Sequence, residues 1–529
     1  MSETVITPHG VASRPRPDVP ARMGERTRTG LGVAGAAVGL GVAGDVLLRS
    51  TPWGLNLTLW TLALVGAAAA LRGWADTEEG AVGWMPLAAG VAALTAWRDS
   101  PTLKALDLWT LAIILGLAMV GARGGRVRLA GIAHHAVGLL ASLADALIGA
   151  GALLFRDVRW AEIPARGGTR QVAAALRGVL IALPLLLVFG TLLAAADARF
   201  ERMLGGLVRV DFASATAHVV FALLFAWLAG GVLRTLVIGG EEHGRELPRP
   251  RVLTMGIVEA GTALALLDAL FLAFVLVQLP YFFGGADAVR AAGSPSYAEY
   301  ARRGFFELVT VAGLVLPMLL FADWSVRRER RGHVRAFRLL AGIQVGLLFV
   351  IMGSALHRMR LYQQAYGLTE LRLYTTAFML WLAVVFGWFA WTVLRGQRER
   401  FAWGALVTAL QAVALLHVVN PDAAIVRANA ARPDAATRFD AAYAASLSAD
   451  AVPPLLTALP AVPGAARCRA AERLLSRWDA SEEDWRSWSL SRARAVRMVE
   501  RRAAELREMR CGPAEAPPAR AVRRNEMSS

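Results

Sequence analysis

The stretch VLTMGIVEAGTALALLDALFLAFVLVQL, from Val252 to Leu279, decides the fold class. It carries two acids, Glu259 and Asp268, and no basic residue. A helix of about 20 mostly apolar residues crosses a bilayer core. This stretch exceeds that length, so it tilts or carries its last turn into the interface. Ten more blocks of similar character flank it: 30–48, 53–71, 81–97, 105–121, 178–196, 213–233, 304–322, 339–356, 373–394 and 401–419. Composition agrees, with 56% hydrophobic and 19% charged residues and a mean hydropathy of +0.45. A soluble domain is about 45–50% apolar. The expected fold is all-α: a polytopic transmembrane helical bundle of about eleven spans, followed by a small helical C-terminal extramembrane region.

Arginines set the orientation. The net charge is +16 and the pI near 11.1. Such a balance can mark a nucleic-acid binder. Here the arginines crowd the short segments between apolar blocks, where cations fix topology, so nucleic acid is discounted as a partner. Lys104 is the only lysine among 57 basic residues, a bias that points to a GC-rich bacterial genome. Residues 1–29 show no cleavage site after the first apolar block and read as a retained cytoplasmic tail. A further block, 129–155, carries His134, His135 and Asp145. If it crossed, every later connection would invert. Arg327, Arg328, Arg330, Arg331, Arg335 and Arg338 would then face outward, against the positive-inside rule. It is read as an interfacial or re-entrant helix. The membrane domain is thus 30–419, in a bacterial cell (inner) membrane, and the tail from Asn420 lies outside the cytoplasm.

Residues 420–511 are Ala- and Arg-rich, with prolines at 433, 453, 454, 460 and 463. Ser481-Glu482-Glu483-Asp484 resembles a capping box and predicts a helix from Ser481. Trp485, Trp488, Ala495, Val499, Ala503 and Leu506 fall on one face of it. Residues 512–529 read as disordered. Cys468 and Cys511 stand without a CxxC pattern or a histidine cluster, so neither metal nor cofactor is expected.

An ionisable group inside a span is costly, roughly 2.5–3.5 kcal/mol at mid-membrane, and marks a site by default. Asp268 is the deepest acid. Glu259 lies nine positions earlier in the same block, and at about 100° per residue the two point to opposite faces. Asp268 reads as a proton or ion relay, or as a protonated carboxyl bonded to a neighbouring helix. Gln344 and Gln411 read as interhelical hydrogen bonds, and His218 and His417 as satisfied groups near span ends.

Two polar segments stand out. In one, Glu299 and Arg303 share a helix face, with Arg302 beside them and Glu307 a turn further on. The other, 357–372, carries Arg358, Arg360, Tyr362, Tyr366 and Arg372 and reads as a loop joining two spans. Outward arginines beside tyrosines suit an anionic lipid or small-molecule ligand. The plainer reading is an aromatic and arginine interface belt. Glu299, Arg303 and Glu307 are expected to form one network with the second segment. No triad, phosphate loop, HExxH or DxD pair is present, so nothing asks for an enzyme.

These segments also carry a resemblance. Leu48-Arg49 with Pro52-Trp53-Gly54-Leu55-Asn56, Ala195-Ala196-Asp197 with Phe200, and Tyr297–Glu307 form its first part. Leu361-Tyr362 with Tyr366-Gly367-Leu368-Thr369 and Arg372, and Asn420-Pro421-Asp422 with Asn429, follow. The tail adds Tyr443 with Leu447–Pro453, and Asp484-Trp485-Arg486-Ser487-Trp488. As a group they resemble an uncharacterised bacterial multi-pass membrane family, domain of unknown function 4173, related to 4153. Ser489 departs from the asparagine expected after Trp488. The resemblance implies the class and no activity. Three readings follow. One is a transporter-like protein with Asp268, Glu259 and Glu307 in a polar pathway. The second is a sensor or scaffold whose outward loops and tail bind a lipid or protein. The third is an outer-face enzyme on lipid-linked substrates, with Asp422, Asp450 or Glu299 as base.

Overall fold

The computed structural model describes residues 24–72, 83–124, 131–162, 212–239, 255–283, 305–326, 330–433, 438–479 and 484–509, with five single residues between 182 and 196. Among them there is no strand, only an isolated bridge between Met255 and Val326. Ten helices are long and apolar enough to cross a membrane. The fold is an all-α polytopic bundle, as its hydrophobic blocks dictate: in hydrocarbon each backbone amide must be bonded within its own segment.

The helices are α1 (Glu25–Leu48), α2 (Leu55–Arg72), α3 (Trp84–Trp97), α4 (Pro101–Ala122), α5 (Ile132–Ala152), α6 (Phe212–Ile238), α7 (Ile257–Phe283), α8 (Phe305–Ser325), α9 (Arg331–Tyr366), α10 (Glu370–Thr392) and α11 (Phe401–Val419). The C-terminal helices, here called the cap, are α12 (Pro421–Ala430), α13 (Ala441–Ala444), α14 (Val452–Ala458), α15 (Gly464–Arg477), α16 (Leu490–Arg501) and α17 (Ala503–Glu508). The 178–196 block, apart from single residues, lies outside the described residues. So do residues 1–23, Glu299, Arg302, Arg303, Arg327, Arg328, Cys511 and 512–529.

The chain divides into two compact units. One holds residues 1–45 and 145–238, the other 46–144 and 239–529. In the first, α1 and α6 pack through small residues, where a side chain at Gly41 would strike Ala222 and Ala226; α6 also meets α5, where a side chain at Gly231 would strike the backbone of Asp145 and Ala146. A π-helical turn, Leu153–Asp157, extends α5. Its Asp157, 1% exposed, accepts from Arg26 at 2.7 Å and from Arg234 at 2.5 Å.

In the second unit the membrane core is a cluster of buried side chains from α7, α8, α9, α10 and α11. Phe305, Leu319, Leu348, Phe386 and Phe389 are among its best-covered members. The cap has its own core, including Val426, Leu455, Leu459, Ala470, Leu474 and Leu506.

Four segments differ from expectation. The 81–97 block holds a helix of 14 residues, Trp84–Trp97, that starts after Gly83, with Ala81 and Val82 outside the described residues; Arg98-Asp99-Ser100 then turns the chain into Pro101 at the start of α4. The polar segment 357–372 is not a loop. Its first part continues α9 to Tyr366, giving one helix of 36 residues, about 54 Å long at 1.5 Å per residue. Gly367, at φ +76°, ends it. The segment 129–155 does not double back. It forms one helix, long and apolar enough to cross a membrane. Its first half packs on the last turns of α4, with Gly138 against Val120 and the Ser142 hydroxyl donating to the Gly116 carbonyl at 3.1 Å.

The fourth is the tail helix, which begins at Leu490 rather than Ser481. Ser489 caps it by accepting from Arg492 N. Asp484 instead caps a short 3-10 turn, Trp485–Ser487. The chain straightens between turn and helix because the Trp488 carbonyl accepts from Leu55 N at 2.9 Å, seating it on the start of α2.

Candidate functional site

Two polar groupings stand out, both within the second unit. The first lies between α7 and α9. Gly261 faces Leu340 at one end, and Gln278 Oε1 accepts from Ser354 and, at 3.1 Å, from Arg358 at the other. The two helices therefore run in the same direction. On α7 the buried positions are Ala260, Leu264, Asp268, Val275 and Gln278, a single face at helical spacing. Asp268 is 7% exposed, and neither carboxylate oxygen has a hydrogen-bond partner among the described residues. Gln344 on α9 is fully buried, and neither of its amide atoms has a partner there. By the register of the two helices, Asp268 and Gln344 fall within about one turn of the same level. Unbonded buried polar groups are rare and each needs an explanation. This seam holds two, with Gln278, Ser354 and Arg358 toward its cap-side end.

The other candidates separate from this seam. Glu259 is exposed at the start of α7, where it accepts from Gly256 N at 2.8 Å. It closes the helix terminus and does not join Asp268. Glu307 is exposed in the first turn of α8, so burial does not impose an ion pair on it. Arg360 is exposed as well. Tyr362 and Tyr366 meet edge to face with centroids 5.2 Å apart, and Arg372 lies 4.1 Å over the Tyr362 ring. Arg372 also donates to the carbonyls of Tyr366 and Gly367 at 3.2 and 2.5 Å. These arginine contacts close the end of α9, where the helix leaves carbonyls unbonded.

The second grouping joins the cap to the ends of α3, α4, α10 and α11. Asp450, 4% exposed, is its hub. It accepts from Arg98 Nη1 at 3.1 Å, Asp99 N at 2.9 Å, Asn420 Nδ2 at 3.2 Å and the Ser491 hydroxyl at 2.6 Å. Asp99 pairs with Lys104 at 2.8 Å and with Arg492 at 3.4 Å. Arg98 donates to the His417 carbonyl at 2.7 and 3.0 Å and covers the Trp97 ring at 4.5 Å. The His417 ring meets Asp107 at 3.2 Å, with both side chains 1% exposed. Asp422 accepts from Ser448 and has no exposed surface, and burial pushes its carboxyl up to about 6. Burial likewise raises the Tyr443 phenol, whose oxygen accepts from Glu370 N at 3.0 Å.

Sequence reasoning passed over most of this network. Asp99, Lys104 and Asp107 carried no weight there, although a charged three-residue turn between two apolar blocks and the sole lysine were visible. The family-like motifs pointed closer. Asn420-Pro421-Asp422 and Ser448-Ala449-Asp450 meet here, and Asn429 brackets Leu368 through its N–H and carbonyl. No group of three or more His, Cys, Asp or Glu among the described residues is arranged to hold a metal ion.

The family described as "Domain of unknown function (DUF4153)" matches residues 85–458, more than two thirds of the chain. The chain belongs to this family. Its match takes in α3 to α11 and continues into the cap through Asp422 and Asp450, so the seam and the Asp450 hub fall inside it, while Ser491 and Arg492 lie beyond it. No curated protein and no solved structure matches the chain.

Proposed function

We propose that this membrane protein is a proton-coupled transporter whose pathway runs along the α7–α9 seam, with Asp268 as the proton-carrying group. The observation that carries the reading is the pair of unbonded, buried polar side chains at one level of two contacting helices, Asp268 and Gln344. An ionised carboxylate with neither oxygen bonded is costly in that setting. A proton or a passing ligand relieves the cost, and Gln344 supplies both a donor and an acceptor beside it. Gln278, Ser354 and Arg358 continue the polar lining toward the cap.

The orientation rests on the charge rule and on the count of apolar blocks. With the N-terminal tail in the cytoplasm of a bacterial cell, α1 to α4 return the chain to the cytoplasmic side after four crossings. With α5 taken as interfacial, as the positive-inside rule asks, and the apolar 178–196 block taken as a crossing on its sequence, seven crossings follow. The cap then falls on the outer side, where disulfide-bonded Cys468 suits an oxidising compartment.

The test uses the full chain in proteoliposomes loaded with a pH-sensitive dye. Under a potassium-diffusion potential, wild type is expected to pass protons, and Asp268→Asn is expected to insert normally and pass none. Equal flux in both proteins overturns the reading.

A further inference from the structure

Beyond the seam, a second buried acid–base pair lies under the cap. His417 sits in the last turn of α11 and Asp107 in the second turn of α4, each 1% exposed. Hydrogen-bond bookkeeping fixes what they hold. His417 Nδ1 lies 3.0 Å from the Val413 carbonyl, which can only accept, so Nδ1 carries a hydrogen. Nε2 lies 3.2 Å from Asp107 Oδ2. A neutral ring protonated on Nδ1 would turn the Nε2 lone pair toward a carboxylate, two acceptors facing each other in a buried site. One proton must therefore lie between them, on the ring or on the carboxyl. The other Asp107 oxygen has no partner among the described residues.

We infer that His417 and Asp107 form a proton-binding site, separate from Asp268, that takes one proton and ties its occupancy to the docking of the cap. The tie runs through the backbone. Arg98 grips the His417 carbonyl with two bonds and carries Asp450 of the cap on its other branch. Trp97 stacks on the imidazole with centroids 6.1 Å apart, and its carbonyl accepts from Ser491 of the cap at 3.0 Å. The charged and titratable groups around the pair are Lys104 on α4, Arg98 and Asp99 in the preceding turn, Tyr374 on α10, and Asp450 and Arg492 in the cap. Lys104 is engaged by Asp99 at 2.8 Å and Arg98 by Asp450 at 3.1 Å. The shared proton is thus what keeps Asp107 and His417 bonded. When it leaves with rising pH, the pair repels and the end of α11 is freed to move under Arg98.

Solid-state NMR on full-length protein with 15N-labelled histidine, in lipid, tests this. His417→Gln assigns the resonance. Trp97→Phe assigns it through the loss of ring-current shift if that variant does not fold. In wild type, Nδ1 is expected to stay protonated while Nε2 titrates by one proton. In Asp107→Asn the amide donates to Nε2, and the titration disappears. Hydrogen exchange of α16 should rise about tenfold across that titration in wild type, as for a lost buried hydrogen bond, and stay flat in Asp107→Asn. A wild-type Nε2 that shows no titration overturns the site. A titration with no change in α16 exchange overturns its link to the cap.

Discussion

Replacing Asp450 with alanine removes the hub of the cap's attachment. Four donors lose their acceptor at once: Arg98 Nη1, Asp99 N, Asn420 Nδ2 and the Ser491 hydroxyl. Removing one member of a buried ion pair costs about 3–5 kcal/mol, because the other charge stays buried. Arg98 keeps its bonds to the His417 carbonyl and its place over Trp97, and Ser491 keeps the Trp97 carbonyl. The lower part of that range therefore applies, about 3–4 kcal/mol. At about 1.4 kcal/mol per decade, amides of α16 should exchange roughly 100- to 1,000-fold faster. Hydrogen exchange read by mass spectrometry on protein in nanodiscs measures this directly. Glu505→Gln, which weakens a half-buried pair with Arg502 just past the end of α16, should leave exchange in the first turns of α16 as in wild type. If Asp450→Ala folds to wild-type yield and its α16 exchange rises less than about threefold, the cap is not held by this network and the reasoning fails.

Asp422 makes cap stability depend on pH. Its carboxyl is raised from 3.8 to about 6 by burial, so the folded state binds the proton more tightly than the unfolded chain. That contribution is full below about pH 4 and is lost as pH rises through about 6; the gap corresponds to about 3 kcal/mol. Asp422→Asn should flatten the dependence of cap exchange between about pH 4 and 7, and an unchanged dependence would assign it to other groups. Gly54→Ala should lift the tryptophan turn, since its methyl would lie 2.5 Å from the Trp488 carbonyl. The expected result is faster exchange at Trp485–Leu490 with proton flux retained, whereas unaltered exchange would mean that the turn is not seated on α2. Asp268→Asn should fold to wild-type yield, because an uncharged amide removes a buried charge, and a collapse in yield would recast Asp268 as a structural group.

The spans were legible because hydrophobic length is a strong one-dimensional signal, as in Val252–Leu279. Asp268 was legible for the same reason, as the one acid deep in that stretch. What sequence could not supply was convergence. Asp99 and Asp107 lie about 300 positions or more before His417 and Asp450, and only folding brings the two sets together. The error at 357–372 has a local cause. Polar residues within an apolar pattern suggest a loop, but helix α9 simply continues beyond its apolar part. Its amides remain bonded along the helix while Arg358 and the tyrosines find partners on its flanks. The late start of α16 has a tertiary cause: the Trp488 carbonyl is needed by Leu55, so the helix cannot begin before Ser489.

Water access to the seam tests the proposed pathway most directly. Cys468 is disulfide-bonded, so single cysteines can be introduced at Gln344, at Asp268 and, as a lipid-facing control, at Leu266, which is 68% exposed on α7. Each variant is treated in sealed vesicles with a membrane-impermeant methanethiosulfonate reagent. Gln344→Cys and Asp268→Cys should react while Leu266→Cys stays inert. If all three stay inert, the seam is dry, and Asp268 and Gln344 line no pathway.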